Sequence, residues 1–279
     1  MMMRTLRPGF DRNVLAAPFG VMFRDRLDHR VVSAGLEVRL SDPQRPGGSA
    51  QHLTANAHGV FVAHKVRGMR SLDEAAVPVS PATTRRFDLH VTDPLGRYLP
   101  LRLPADLPSD GLFEPACLTQ SPGAASPHVP LYSAAARNVS AGYGVVRADL
   151  RLASDPDVGA AWARLELWLD SMLIGEGVAD QRGCALLLCP LPTLLDPPLR
   201  TSPPGLPIAR SSWEVSLRAF WDEAVARDVV PDLCELKQMP DVPLLRGVSP
   251  ATPLGLSLLV AGSPLVVRSD GSSFVFVGA

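Results

Sequence analysis

Histidine and carboxylate side chains are the groups in this sequence that could bind a metal ion. His58 and His64 fall on one face of an expected strand, but at ~3.3 Å per residue they stand roughly 20 Å apart, too far to share an ion. His52 could meet His58 across the turn between them, but no carboxylate with ligand spacing is nearby. Asp155 and Asp157 lie close together in a loop that lacks the further oxygen ligands calcium requires. We therefore expect no metal ion and no cofactor.

Serine and cysteine are the candidate nucleophiles. Ser49 follows two glycines, but it lies in no Gly-x-Ser-x-Gly motif and lacks the strand-to-helix turn of a hydrolase nucleophile. Cys234 is the cysteine that could lie on a helix, where a thiol pKa can fall. No Cys-x-x-Cys pair occurs, so we interpret all four cysteines as small buried side chains in a reducing compartment: Cys117, Cys184, Cys189 and Cys234. We expect no catalytic residues and no enzyme activity.

Composition and charge exclude several kinds of partner. The 279 residues carry 27 basic and 28 acidic side chains, a net charge of −1, whereas proteins that bind phosphate backbones are usually strongly basic. No run of apolar residues approaches the ~18 that a membrane span needs. The apolar stretch Val14–Phe23 is short and interrupted by Pro18 and Gly20, which does not favour a leader peptide. We expect no nucleic-acid partner, no membrane insertion and a cytoplasmic location.

Alternating apolar and polar residues predict antiparallel strands in the first part of the chain. Leu36, Val38 and Leu40 alternate with polar residues, and three further strand candidates follow at Gly59–Val66, Phe87–Val91 and Tyr98–Leu103. We predict a β-sandwich over residues 17–105, preceded by an N-terminal arm over 1–16.

The second part of the chain repeats this organisation after a proline-rich stretch. Residues 104–130 hold six prolines and show little periodicity, which predicts a linker or a strap across the surface; the linker is placed at 106–130. A second sandwich is predicted over 131–279, with a long proline-rich loop at 190–210. At its end, Ser269-Asp270-Gly271 separates two apolar segments and predicts a hairpin with positive φ at Gly271. The fold class is therefore all-β, with two consecutive immunoglobulin-like or transthyretin-like sandwiches joined by a linker.

A degenerate internal repeat links the two halves. Ala34–Leu40 reads AGLEVRL and Ala163–Leu169 reads ARLELWL. Downstream of the first stands Asn56-Ala-His-Gly59, and downstream of the second Asp180-Gln-Arg-Gly183, each leading into an apolar strand. In both turns the glycine would supply a positive φ and the Asn56 or Asp180 side chain would cap the turn. The pattern predicts equivalent turns in two similar sandwiches.

The tryptophans suggest an interaction surface. Trp213 and Trp221 stand at the two ends of one face of a predicted strand, and we expect them in the core or at its edge. In Ala163–Leu169 the leucines take one face, so Glu166 and Trp168 take the other. An outward tryptophan is typical of binding hot spots, and the alternative is a strand covered on both faces. Glu166 and Trp168 are the interface candidates.

The first half resembles the carboxypeptidase regulatory-like, transthyretin-like sandwiches. The resemblance rests on Thr54, Asn56, Gly59 and Phe61, followed by FDLHVTDPLGRYLP at Phe87–Pro100. The family more often has Asp-Gly where this chain has Asn-Ala-His-Gly. The resemblance implies a β-sandwich over 17–105.

The whole chain is similar to bacterial proteins encoded beside phage-tail-like contractile injection systems. The matching segments are LYSAAAR at Leu131–Arg137, AAWARLEL at Ala160–Leu167, ADQRG at Ala179–Gly183 and VPDLC at Val230–Cys234. This similarity implies a structural tail or baseplate subunit that contacts other subunits of a large particle, assembled in the bacterial cytoplasm and able to be released. The alternative is a sandwich module that binds a carbohydrate or a protein surface through its loops.

Overall fold

The protein is predominantly β, which confirms the coarse fold prediction. The structure, a computed structural model, describes residues 17–45, 48–64, 66, 84–109, 111–118, 127–139, 142–191 and 211–278. Within these ranges the chain forms eighteen strands and two short helices. The predicted arm at 1–16 and most of the proline-rich loop at 190–210 lie outside the described residues.

The first seven strands form one sheet in the order β6-β5-β2-β3-β4-β1-β7. Neighbours are antiparallel except β1 and β7, which pair in parallel. The strands alternate between buried and partly exposed residues because successive side chains point to opposite faces, as Phe19, Val21 and Phe23 of β1 show. The bounds are β1 Phe19–Asp25, β2 Glu37–Ser41, β3 Gln51–Ala55, β4 Val60–Ala63, β5 Arg85–Thr92, β6 Leu101–Leu107 and β7 Val129–Leu131.

The segment predicted as a linker contributes to this first core. β6 continues to Leu107, and β7 adds Val129 and Leu131, all fully buried. Phe113 packs on Phe19 with ring centroids 5.3 Å apart. The described parts of residues 106–130 therefore pack against the sheet as a strap does, since proline is tolerated at sheet edges and in the segments that cover them.

The second half of the chain forms two further sheets around a second core. One has the order β10-β9-β12-β13, with β16 on β12, and the other has β11-β8-β18-β14-β15, with β17 on β8. The strands are β8 Tyr143–Leu152, β9 Arg164–Leu169, β10 Met172–Val178, β11 Cys184–Pro190, β12 Ser212–Phe220, β13 Asp241–Val242, β14 Leu244–Val248, β15 Ala251–Pro253, β16 Ser257–Val260, β17 Leu265–Val267 and β18 Val275–Val277. The helices are α1 Glu223–Ala226 and α2 Leu233–Gln238.

The predicted C-terminal hairpin is wrong in its pairing. β17 and β18 do not pair with each other; each lies parallel to a different stretch of β8, at Val146–Ala148 and at Leu150–Leu152. Gly271 has φ +86 in the turn between them. The turn diverts the chain so that β18 resumes beside β8 further along, and a local turn signal cannot distinguish this path from a hairpin.

The two repeat turns have the same hydrogen bonds. The Asn56 Oδ1 atom accepts from the amides of His58 and Val60 at 2.9 and 3.0 Å, and Gly59 has φ +78. The Asp180 Oδ1 atom accepts from the amides of residues 182 and 184 at 2.8 and 3.0 Å, and Gly183 has φ +88. Both glycines therefore occupy the left-handed backbone region that the turn interpretation requires.

Side chains from the second half complete the first core. Trp162 and Val178 are buried in it, together with Leu233 and Leu236 of α2. The Trp162 Nε1 atom also donates to the carbonyl of Asp228 at 2.8 Å. Helix α2 thus packs beneath the first sheet although its sequence lies in the second half.

Candidate functional site

A buried carboxylate marks the junction between the two cores. Glu176 lies in β10, one strand residue beyond a β-bulge between Leu173 and Gly175, and its side chain is 2% exposed. The register places Glu176 opposite Glu166 of β9, which in turn lies opposite Arg218 of β12. This face of the sheet meets α2 and the turn after β1.

Four donors from four parts of the chain surround Glu176. The Arg26 Nε atom, in the turn after β1, donates to Oε2 at 2.8 Å. The Lys237 Nζ atom of α2 donates to Oε1 at 2.6 Å, and the Tyr132 hydroxyl, just after β7, donates to the same oxygen at 3.3 Å. The Arg164 Nη1 atom lies 3.6 Å from Oε1. The Glu176 carboxylate therefore connects side chains of the first sheet, the second half and α2. We call the five residues the junction cluster: Arg26, Tyr132, Arg164, Glu176 and Lys237.

The charges of the junction cluster shift its pKa values. Burial alone would raise the pKa of Glu176, but Lys237 and Arg26 lower it to about 2. Burial lowers the pKa of Lys237, and Glu176 offsets this only in part because Arg26 and Arg164 also surround the ammonium. Burial raises the pKa of the Tyr132 hydroxyl well above its usual value, and the Glu176 carboxylate adds to this. At neutral pH Glu176 is ionised and Tyr132 is a neutral donor.

The predicted interface residues border this cluster. Glu166 accepts from the Arg164 Nη1 atom at 2.5 Å and from the Trp168 Nε1 atom at 3.1 Å. Trp168 is half-buried, and the Arg218 guanidinium lies 5.0 Å from its ring centroid on the outward face of β9. Glu166 is thus part of an internal ion network, whereas Trp168 presents part of its ring to the surface.

The two tryptophans expected in the core differ. Trp221 is 7% exposed and packs in the second core, but Trp213 is half-buried and packs against its edge. Val215 and Ala219 are the fully buried residues of β12. Both positions agree with the prediction that the two tryptophans lie in the core or at its edge, since Trp213 is near the end of its strand and pairs with β16.

A second buried carboxylate fixes the loops of the first half. Asp25 accepts from the Tyr98 hydroxyl at 2.8 Å and from the Arg137 Nη2 atom at 2.6 Å. Burial opposes ionisation, but the bond from Arg137 and the bonds from the Leu27 amide and Tyr98 leave the pKa of Asp25 below its usual value. Burial, together with the bond to Asp25, raises the pKa of Tyr98 to about 12.

Two of the four cysteines form a disulfide bond, which corrects the prediction that all four are reduced. Cys117 and Cys234 form a disulfide bond with their Cα atoms 5.4 Å apart, joining the segment after β6 to the first turn of α2. Cys189 is a buried free thiol and Cys184 is a half-buried one, as expected of packed side chains. Sequence spacing gave no signal for the pair because 117 residues separate the two cysteines.

The junction cluster was missed by sequence reasoning. Glu176 stands between two glycines in a strand that is otherwise mostly apolar, and Lys237 is one of only two lysines in the sequence. A charged residue inside an apolar strand was therefore a usable signal for burial, but its partners lie too far away in sequence to be inferred.

The buried carboxylates of the site form ion pairs inside the protein. Among the described residues, no group of three or more histidine, cysteine, aspartate or glutamate side chains could hold a metal ion. Neither of the described helices is long and apolar enough to cross a membrane. The geometry supports a junction that orders two β-rich parts.

Comparisons with known proteins give no family. No family model matches the sequence, and no curated protein matches it. A solved structure of the Bacillus anthracis TIE protein is similar at TM-score 0.24 and 8% identity, over 93% of this chain and 34% of that one. The chain thus spans about a third of the length of that protein, and a score this low carries no argument.

Proposed function

We propose that this chain is a non-enzymatic structural subunit that binds neighbouring proteins in a larger assembly. The observation that carries the proposal is the junction: the disulfide, the junction cluster and a shared core fasten both β-rich parts to helix α2. A subunit that transmits or resists force needs such fixed geometry. Here Glu176 and Asp25 are each bound by several donors.

The outward face of β9 and β10 is the surface we assign to a partner. Trp168 lies directly beside Leu173 in the cross-strand register, and Leu173 is 37% exposed. Arg218 stacks on Trp168 from the next strand. Tryptophan and arginine are enriched among interface hot spots, and this pair is already ordered before a partner binds.

The finer proposal is a tail or baseplate subunit of a phage-tail-like contractile injection system. It is supported by the sequence similarity described above. The disulfide requires that the protein spend time in oxidising surroundings, since such bonds persist there. A particle assembled in the cytoplasm and then released meets that condition after release.

The test is to isolate large particles from the native host by sedimentation and identify their proteins by mass spectrometry. We expect this chain in the particle fraction, and its presence only in the low-mass fraction while intact particles form would contradict the proposal. The matched variants are Trp168→Ala and Leu256→Ala, the latter 67% exposed in a loop of the same half. Trp168→Ala should weaken incorporation, by ~2 kcal/mol of binding or more, and Leu256→Ala should not.

A further inference from the structure

A cavity of about 430 Å³ lies beside the junction cluster. Its walls come from the turn after β1, from β10 and from the end of β11, so both parts of the chain contribute. This volume falls within the range of ~300–1,000 Å³ typical of small-molecule sites, which are frequent where two parts of a protein meet. Leu173 borders both this cavity and the surface assigned to a partner, and a ligand in the cavity does not require that partner.

The walls of the cavity are mostly apolar. Ile174, Leu188 and Leu191 line it, and Met172 and Leu173 stand at its exposed side, where they are 56% and 37% exposed. Exposed methionine and leucine side chains next to a concavity are a common feature of sites for apolar ligands. The walls thus fit a hydrocarbon chain.

At the polar end of the cavity, the negative charge is already paired and part of the positive charge is not. Among the described residues that line it, Glu176 is the sole acid, and its two oxygens already accept from Arg26, Lys237 and Tyr132. Arg26 also lines the cavity, and its side chain donates from Nε to Glu176. Its two Nη groups donate no hydrogen bond to any described residue, and its side chain is 32% exposed. His29 also lines the cavity.

The charges of the side chains around the cavity also favour an anionic ligand. The junction cluster and Glu166 together carry three cations, Arg26, Arg164 and Lys237, against two carboxylates. An anion at the Arg26 end would balance the excess charge, and the forked Nη groups match a carboxylate geometrically. A cationic head group would instead meet uncompensated positive charge.

We propose that this cavity binds a small amphipathic carboxylate. The carboxylate group accepts from the Nη groups of Arg26, and the hydrocarbon chain packs against β10 and β11. The chemical class is that of a medium-chain fatty acid. Binding needs no covalent step and leaves Glu176 paired as it stands.

The experiment is calorimetric titration of the intact, disulfide-bonded protein with decanoate, below the concentration at which decanoate forms micelles. Decyltrimethylammonium, with the same chain length and the opposite charge, is the second probe. We expect saturable one-to-one binding of decanoate and at least tenfold weaker binding of the cation. Absence of saturable decanoate binding, or equal binding of both probes, would overturn the proposal.

A pair of exposed-site variants tests the location. Met172→Asp places a negative charge on the cavity wall, and Leu258→Asp places one on β16 at nearly equal exposure, 56% against 54%. Met172→Asp should weaken decanoate binding by about tenfold, since losing ~1.4 kcal/mol is a factor of ten. Leu258→Asp should leave it within about twofold. Equal affinity in both variants would place the ligand elsewhere and overturn the assignment; thermal melts of both verify that each is folded.

Discussion

At the scale of the residue, the turn glycines differ in what surrounds them. A Cβ atom on Gly183 would collide with the backbone carbonyl oxygen of Leu150, which is held in place by the bond it accepts from the Ala160 amide at 2.9 Å. A Cβ on Gly59 would instead meet the Cγ1 atom of Val31 at 2.5 Å, and Val31 is an exposed side chain that can rotate away. Gly96, with φ +65, has open space around its Cα.

The first prediction compares Gly183→Ala with Gly96→Ala. Both alanines pay the cost of a left-handed backbone, about 1–2 kcal/mol. Gly183→Ala adds the collision, which costs a further ~1–3 kcal/mol, as overpacking does. Urea unfolding should therefore show a larger loss of stability for Gly183→Ala. Equal losses would mean that the turn at 183 is not packed as described.

The second prediction concerns Glu176 and pH. Its pKa of about 2 in the folded protein lies below the ordinary value of 4.5. A lowered folded-state pKa stabilises the protein above the unfolded value, and the stabilisation is lost as the pH falls from about 4.5 to about 2. The amount is on the order of 3 kcal/mol, since each pKa unit corresponds to 1.36 kcal/mol.

The variant Glu176→Gln should lose this acid-dependent component. At pH 7 it should also be less stable by roughly 3–5 kcal/mol, because buried cations are left without their carboxylate. Glu37→Gln is the control, since Glu37 forms an exposed ion pair with Arg39. The free energy of unfolding, measured from pH 7 to pH 3, should decline less steeply in Glu176→Gln than in Glu37→Gln. Parallel curves would show that Glu176 is not held by the junction.

At the scale of the element, helix α2 is fixed at both of its ends. Asp232 caps its first turn by accepting from the amides of Cys234 and Glu235, and Cys234 is bonded to Cys117. At the other end, Lys237 reaches Glu176. A helix of six residues has little stability of its own, so these tethers and the burial of Leu233 and Leu236 hold it in place.

The third prediction tests the covalent tether. Replacing Cys117 and Cys234 together by serine should lower the free energy of unfolding by about 2–5 kcal/mol, because the bond closes a long loop of the unfolded chain. Cys184→Ser is the control, as Cys184 is a half-buried free thiol. Guanidinium unfolding measures both variants. A double variant as stable as the control, or four titratable thiols in the native protein, would refute the bond.

Sequence reasoning succeeded where the cause is local. The turns at 56–59 and 180–183 follow from a side-chain oxygen and a glycine three residues apart, and β2 and β5 follow from two-residue alternation. It failed where the cause lies far along the chain. The parallel pairing of β7 with β1, the separation of β17 from β18 and the Cys117–Cys234 bond depend on partners that no local pattern reveals.

The candidate site shows the same division. Trp168 could be placed on the outward face of β9 from alternation alone. Glu166 was placed on that face too, but its bond to Arg164 could be known only from the packing of α2 and β12 around Arg164. Glu176 was missed because its burial is tolerable only with Arg26 and Lys237, which are 150 and 61 residues away.

At the scale of the whole molecule, the central claim is that the two β-rich parts form one cooperative unit. The first core contains side chains from both halves, including Trp162 and Leu236. The junction cluster and the disulfide cross the same boundary. Unfolding one part therefore removes core contacts and ion pairs from the other, which predicts a single transition.

The most direct measurement follows both parts during urea unfolding of the oxidised protein. Trp162 is buried in the first core, so the measurement uses a Trp162→Phe variant, in which the fluorescence of Trp168, Trp213 and Trp221 reports on the second half. Hydrogen exchange followed by mass spectrometry on peptides covering β5 and β6 reports on the first sheet. We predict one midpoint and one free energy of unfolding for both probes. Exchange of β5 and β6 at a clearly lower free energy, while the tryptophan signal stays native, would contradict the account.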